Sequence, residues 1–116
     1  MNVRIVTLDQ YVLDHPIQRI DLMKIDVESQ EHRVLAGAAN VLRHHRPVVF
    51  LEVLPGAATD ELERIRRTHG YQSILCRPSG LRCVDRVSVD PEATNQALCP
   101  EEKLPQFFDM AKTLGL

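Results

Sequence analysis

The sequence predicts an α/β fold, a βαβ unit followed by a helix and an antiparallel hairpin, and three observations carry that prediction. Residues 20–27 and 47–54 are two nearly continuous apolar runs of strand length. Between them Val34, Leu35, Ala38, Val41 and Leu42 recur at helical spacing and define one apolar stripe. Further on, two strand-like runs flank the turn Arg77-Pro78-Ser79-Gly80.

Residues 3–8 form a short β-branched run ending at Asp9, and 8–13 can form a short helix that His15-Pro16 stops. The continuous apolar character of 20–27 predicts a strand covered on both faces, as in a parallel sheet. Ser29 is the predicted N-cap of the next helix, and Glu31 falls in its first turn, where negative charge suits the helix dipole. Arg43-His44-His45-Arg46 closes that helix, and Pro47 prevents its continuation. Strand, helix and strand within 21–54 make the βαβ unit, whose crossover is right-handed as a rule. Pro55-Gly56 marks a turn, and Thr59 or Asp60 caps the helix that follows, with Asp60 and Glu63 at capping-box spacing. That helix runs to His69 and stops at Gly70. Residues 71–76 and 81–87 read as the hairpin, 88–100 as loop, and 101–114 as a final helix that Pro105 interrupts.

The 116 residues are read as one domain, 1–116, a size that buries roughly 65% of its unfolded surface. A hydrophobic share of 44% against 26% charged residues is that of an ordered globular chain. The net charge of -2, with Lys and Arg dispersed, gives no electrostatic reason to expect nucleic acid or an anionic membrane as partner. Cys76, Cys83 and Cys99 are odd in number and lack C-x-x-C spacing, which predicts reduced thiols and no zinc site. Residues 1–6 lack the apolar core of a signal peptide, and no run approaches the ~20 apolar residues that cross a bilayer, so the expected location is the cytoplasm.

In open α/β sheets, ligands bind outside the carboxyl ends of the strands. Asp26 and Glu28 close the first strand and Glu52 lies near the end of the second. Strand alternation places Lys24, Asp26 and Glu28 on one face, and Lys24 within an apolar strand calls for an acidic partner. The same residues can equally be a structural ion pair and the residues that lead into a helix. His44-His45 is not a metal pair, since adjacent helical residues face different ways, and His15, His32 and His69 form no ligand spacing. Ser73, Ser79 and Ser88 have no nucleophile-elbow context, and Arg64, Arg66 and Arg67 read as a solvated helix face.

Several ordered blocks resemble the FkbM-type methyltransferases: Thr7-Leu8-Asp9, then Asp21-Leu22-Met23-Lys24-Ile25-Asp26-Val27-Glu28, Glu31, Val34-Leu35-Ala36-Gly37-Ala38, Arg46-Pro47 through Glu52, and His69-Gly70-Tyr71. The resemblance spans 3–87 and is most specific at Lys24-Ile25-Asp26-Val27-Glu28, which the family usually follows with glycine where this chain has Ser29. It implies a partial Rossmann-like methyltransferase sheet, with 21–27 as its fourth strand, 47–54 as its fifth and the hairpin of 71–87 as the last two. It also implies S-adenosylmethionine as cofactor and O-methylation of a hydroxyl on a small molecule or sugar. The Gly-rich turn that receives the cofactor in such enzymes has no counterpart: Gly37, Gly56, Gly70, Gly80 and Gly115 form no Gly-x-Gly turn. The chain therefore looks like the C-terminal half of a methyltransferase domain.

Under that resemblance Asp26 orients the acceptor or takes its proton, Glu28 and Glu52 are supporting carboxylates, and Lys24 contacts the substrate. A half-sheet with an unpaired edge predicts a homo-oligomer or a companion chain. The alternative is a non-catalytic interaction module derived from the half-domain; a metal-dependent hydrolase is disfavoured because no histidine joins the carboxylates.

Overall fold

The computed structural model describes residues 5–114. Eleven elements follow in order: α1 (Leu8–Asp14), β1 (Leu22–Ile25), α2 (Glu31–Ala36), α3 (Ala39–His44), β2 (Val48–Glu52), α4 (Thr59–His69), β3 (Tyr71–Arg77), β4 (Gly80–Val84), β5 (Asn95–Pro100), a 3₁₀ turn (Glu101–Lys103) and α5 (Leu104–Thr113). One five-stranded sheet has the order β1-β2-β5-β3-β4. β1 and β2 pair in parallel, while β5 runs antiparallel to both its neighbours, β2 and β3. The βαβ unit and the hairpin are thus as the sequence predicts, and the whole is a partial Rossmann-like arrangement.

The start of the run 3–8 lies outside the described residues, and from Leu8 onward it is helix. Thr7 caps α1 by accepting from the Gln10 amide at 3.1 Å. The expected helix over 31–46 is in fact two short ones, because Gly37 and Ala38 depart from helical pairing. Asp9 closes the gap from a distance: its carboxylate accepts from the amides of Asn40 at 2.9 Å and Val41 at 3.0 Å, capping α3 from another helix. Ser29 does not cap α2. It stands at φ +71 beside Glu28 at φ +43, and the N-cap is Gln30, which makes no side-chain capping bond. The left-handed conformation at Ser29 explains why glycine is favoured there.

Asp60 and Glu63 form no capping box either. Ala58 is the N-cap of α4, and Glu63 is buried, accepting from Arg66, Arg67 and the Val87 amide. Arg66 therefore leaves the solvated face predicted for it, because its guanidinium covers that buried carboxylate and also reaches the carbonyls of Tyr71 and Asp85. Gly70 ends α4 in the left-handed region at φ +67, as its position suggested. Pro105 sits in the first turn of α5, where its missing N–H costs nothing, so it begins that helix instead of interrupting it.

The largest difference lies in 88–100. Its second half is β5, not loop, and it is inserted between β2 and β3, near the middle of the sheet. The hairpin therefore does not supply the two strands that follow β2 in the sheet, as the resemblance implied; β5 lies next to β2, β3 next to β5, and β4 is the outer strand. Gln96 and Pro100 disguise the strand, since a buried polar residue and a proline both argue against an interior position. Pro100 is tolerated at the last residue, and the buried Gln96 donates from Nε2 to the carbonyls of Ser88 and Ala93, while its Oε1 has no partner among the described residues.

Alternation along the strands divides the core in two. On one face Ile25, Val49, Leu51, Val53, Leu98 and Tyr71 pack with Leu35, Leu42 and Leu62 of the helices. On the other, Ile74, Ala97 and Cys99 pack with Phe107, and Val48, Phe50 and Leu104 join them. The second face is covered only in part. β1 is an edge strand whose Leu22 is 60% exposed, so the strand expected at 20–27 to be covered on both faces is not. All three cysteines are free thiols, and burial pushes the Cys99 pKa up to about 11. No described helix is long and apolar enough to cross a membrane.

Candidate active site

The carboxyl ends of β1 and β2 open onto a cleft of about 360 Å³ on the side of the sheet that α5 leaves uncovered. Lys24, Asp26, Glu52, Phe50 and Asn95 line it, with Gln96 at its back. The register explains the grouping. Lys24 pairs with Phe50 and Ile25 with Leu51 in the parallel ladder, so one residue further Asp26 lies beside Glu52. Glu52 in turn pairs with Asn95 of β5. Three polar residues from three adjacent strands thus form a row at the sheet's end, above the row Lys24, Phe50 and Ala97.

Three of the four residues singled out in the sequence, Lys24, Asp26 and Glu52, meet in this cleft. Glu28 does not line it: the strand ends at Ile25, and the two left-handed residues Glu28 and Ser29 turn the chain away. Consecutive non-glycine residues at positive φ cost on the order of 1 kcal/mol each and are held by their surroundings. Here the buried Glu31 carboxylate helps by accepting from the Val27 amide at 3.3 Å. Lys24 has no acidic partner among the described residues; it projects from the edge strand into solvent, where its charge needs none. Asp26, Glu52 and the Asn95 amide also make no side-chain hydrogen bond there, so their capacity is open to a ligand. Asn95 carries no signal in the sequence, where 88–100 reads as loop; the short apolar run Ala97-Leu98-Cys99 is the one local sign of the strand that positions it.

The other charged groups are committed to the fold. Arg46, itself left-handed at φ +54, grips Glu102 with two hydrogen bonds at 2.8 and 2.9 Å. The same guanidinium donates to the carbonyls of Leu42, His69 and Gly70 and lies 4.9 Å from the Tyr71 ring centroid. The Arg46 hydrogen bonds hold the Glu102 carboxyl down at about 2, and the Arg66 hydrogen bonds do the same for Glu63. The Tyr71 hydroxyl donates to the Pro47 carbonyl at 2.8 Å, and burial raises its pKa. His45, at the end of α3, is tied into the fold by its Nδ1, which accepts from the Ile20 amide at 3.1 Å. Among the described residues, no group of three or more His, Cys, Asp or Glu side chains could hold a metal ion.

A mixed α/β sheet with carboxylates converging at the ends of its parallel strands defines the class of protein, an α/β domain of the kind that carries enzyme sites at strand ends. Residues 1–73 match the methyltransferase FkbM domain, and the chain belongs to that family. No curated protein and no solved structure matches it. The match takes in α1 through the start of β3, and so covers Lys24, Asp26 and Glu52 but not Asn95.

The family implies S-adenosylmethionine generally. A nucleoside cofactor of this sort calls for a glycine turn that lets backbone approach it. Among the described glycines, a Cβ on Gly37 would meet the Thr7 side chain at 3.1 Å, Gly70 caps α4, and Gly56 and Gly80 lie in turns facing open space. None forms a cradle. The described residues build one wall of a site and do not by themselves fit the cofactor.

Proposed function

We propose that this chain supplies the acceptor side of an S-adenosylmethionine-dependent methyltransferase that methylates a hydroxyl of a small molecule or sugar. The observation that carries the reading is the row Asp26, Glu52 and Asn95 across three strand ends, unpartnered, in a chain belonging to a methyltransferase family. A cleft of this size lies within the range of small-molecule sites. Asp26 accepts the hydroxyl proton and orients the oxygen; Glu52 and Asn95 fix the neighbouring polar groups of the acceptor, and Lys24 contacts it from the β1 edge. The reading keeps the domain as a single unit, 1–116, and places it in the cytoplasm.

The cofactor's cradle comes from a companion chain set along β1, whose outer edge is unpaired and beside which Leu22 and Val27 are exposed; a second copy of this chain would cover that edge without adding a cradle. Calorimetric titration of the complex with its companion chain should give saturable S-adenosylmethionine binding that disappears when the two are separated. A complex that binds none would overturn the reading.

The same open edge supports a second reading, a non-catalytic interaction module. It requires association without cofactor binding or methyl transfer. A stably folded, monodisperse monomer by light scattering would count against both partner assignments.

A further inference from the structure

At the start of the sheet's open edge, an imidazole stands where a backbone acceptor would. The Ile20 amide, two residues before β1, donates to His45 Nδ1 at 3.1 Å, across 25 positions of sequence. The ladder to β2 begins only after it, where the Val48 amide donates to the Asp21 carbonyl at 2.9 Å. His45 is itself fixed, since it ends α3 and its own amide donates to the Val41 carbonyl at 2.9 Å. Ile20 and the ring are both partly buried. The edge strand that carries Lys24, with Asp26 just beyond its end, is therefore tied at its start by a side chain that titrates.

A backbone N–H can only donate, so the bond requires a neutral ring; a protonated imidazole carries hydrogen on both nitrogens and cannot accept. Histidine is the side chain whose charge ordinarily changes between about pH 5 and 8. The bond is thus present above that interval and is lost as pH falls through it. Asp9 of α1 and His44 of α3 line a shallow pocket together with His45. Both Asp9 oxygens are taken by the Asn40 and Val41 amides. In the incoming segment Arg19 and Asp21 pair with each other at 2.6 Å, and Lys103 lies within electrostatic reach of Asp21. Arg46, next in the chain, is held by Glu102. We propose that His45 is a pH-sensitive latch on the edge strand: its neutral ring holds residues 17–21 against the end of α3, and its protonation releases them and loosens the start of β1. The latch stands apart from the methyl-transfer reading, because it involves only atoms of this chain.

The test is NMR of the full chain between about pH 8 and 5, following the Ile20 amide and the carbon-bound protons of the His45 ring. The amide resonance should move with the same midpoint as the ring. Its exchange protection, corrected for the intrinsic pH dependence of exchange, should fall about tenfold, as expected for one lost hydrogen bond. His45→Asn places a non-titrating oxygen near the Nδ1 position, and there the protection should hold within about threefold over the same interval. His45→Ala should show the low protection at both ends. An Ile20 amide that follows His44, Asp9 or Asp21 instead of His45 would overturn the proposal, as would an equal fall in His45→Asn. The two midpoints in the parent chain decide the matter even where neither variant folds, and midpoints that differ sink the latch.

Discussion

The two ends of the sheet carry charged residues of the same kinds and use them in opposite ways. At the amino end of β2, Arg46 is engaged by Glu102, by three carbonyls and by the Tyr71 ring. At the carboxyl end of the same strand, Asp26, Glu52 and Lys24 make no side-chain bond among the described residues. The difference teaches which charges hold the fold together and which are left for a ligand. Arg46-Pro47 and Asp9 belong to the same family pattern as Asp26, yet they are architectural: Arg46 joins the ends of α3 and α4, and Asp9 caps α3. Membership of a motif does not make a residue catalytic; free hydrogen-bonding capacity in a cleft is the better criterion.

Substitutions can break this contrast directly, and the largest effect belongs to the open end. Asp26→Asn should lower methyl transfer by about 10²–10⁴-fold, as expected for a lost proton acceptor, with a melting temperature close to that of the parent chain. Unchanged turnover in that variant would return Asp26 to the structural group. At the committed side of the molecule the order reverses. Glu63→Ala should cost about 3 kcal/mol in urea unfolding, because it removes the only carboxylate on the largely buried Arg66 guanidinium and leaves the Val87 amide without its acceptor.

Acid should act on the same committed group. Glu63 and Glu102 have folded-state values near 2, depressed from an ordinary 4.5. The unfolded chain therefore binds more protons in that interval, so their stabilisation is complete above about pH 5 and is lost as pH falls toward 2. Urea midpoints should be level between pH 6 and 5 and decline steadily below pH 4.5, less steeply in Glu63→Ala. A smaller loss, about 1 kcal/mol, is expected for Asp9→Ala, read by the same unfolding assay. The smallest effect is a gain. Ser29→Gly relieves the left-handed strain at φ +71 and should stabilise the chain by roughly 0.5–1 kcal/mol.

Much of the fold was legible because its signals are local. The strands at 20–27 and 47–54, the hairpin turn at 77–80 and the end of α4 at Gly70 each follow from a run, a period or a turn residue within a few positions. Three of the four predicted cleft residues followed as well, since strand alternation and parallel pairing place Lys24, Asp26 and Glu52 together. What misled were residues whose roles are set by distant neighbours. Asp60 and Glu63 have capping-box spacing, but Glu63 is drawn inward by Arg66 and Val87. Ser29 is a good N-cap by type, but the turn out of β1 puts it in a conformation that cannot cap.

The sequence by itself determined the βαβ unit, the hairpin and the family, because apolar periodicity and ordered motifs are properties of the chain alone. Only the tertiary structure decided that β5 enters the sheet between β2 and β3, bringing Asn95 beside Glu52 and Gln96 beneath the cleft. It alone decided, too, that α5 shields Phe50 and leaves Asp26 open. The physical reason is that strand order and helix placement are fixed by long-range burial of two apolar faces at once. No single segment records that, since a strand such as Asn95–Pro100 gains its stability from neighbours on both sides and not from its own composition.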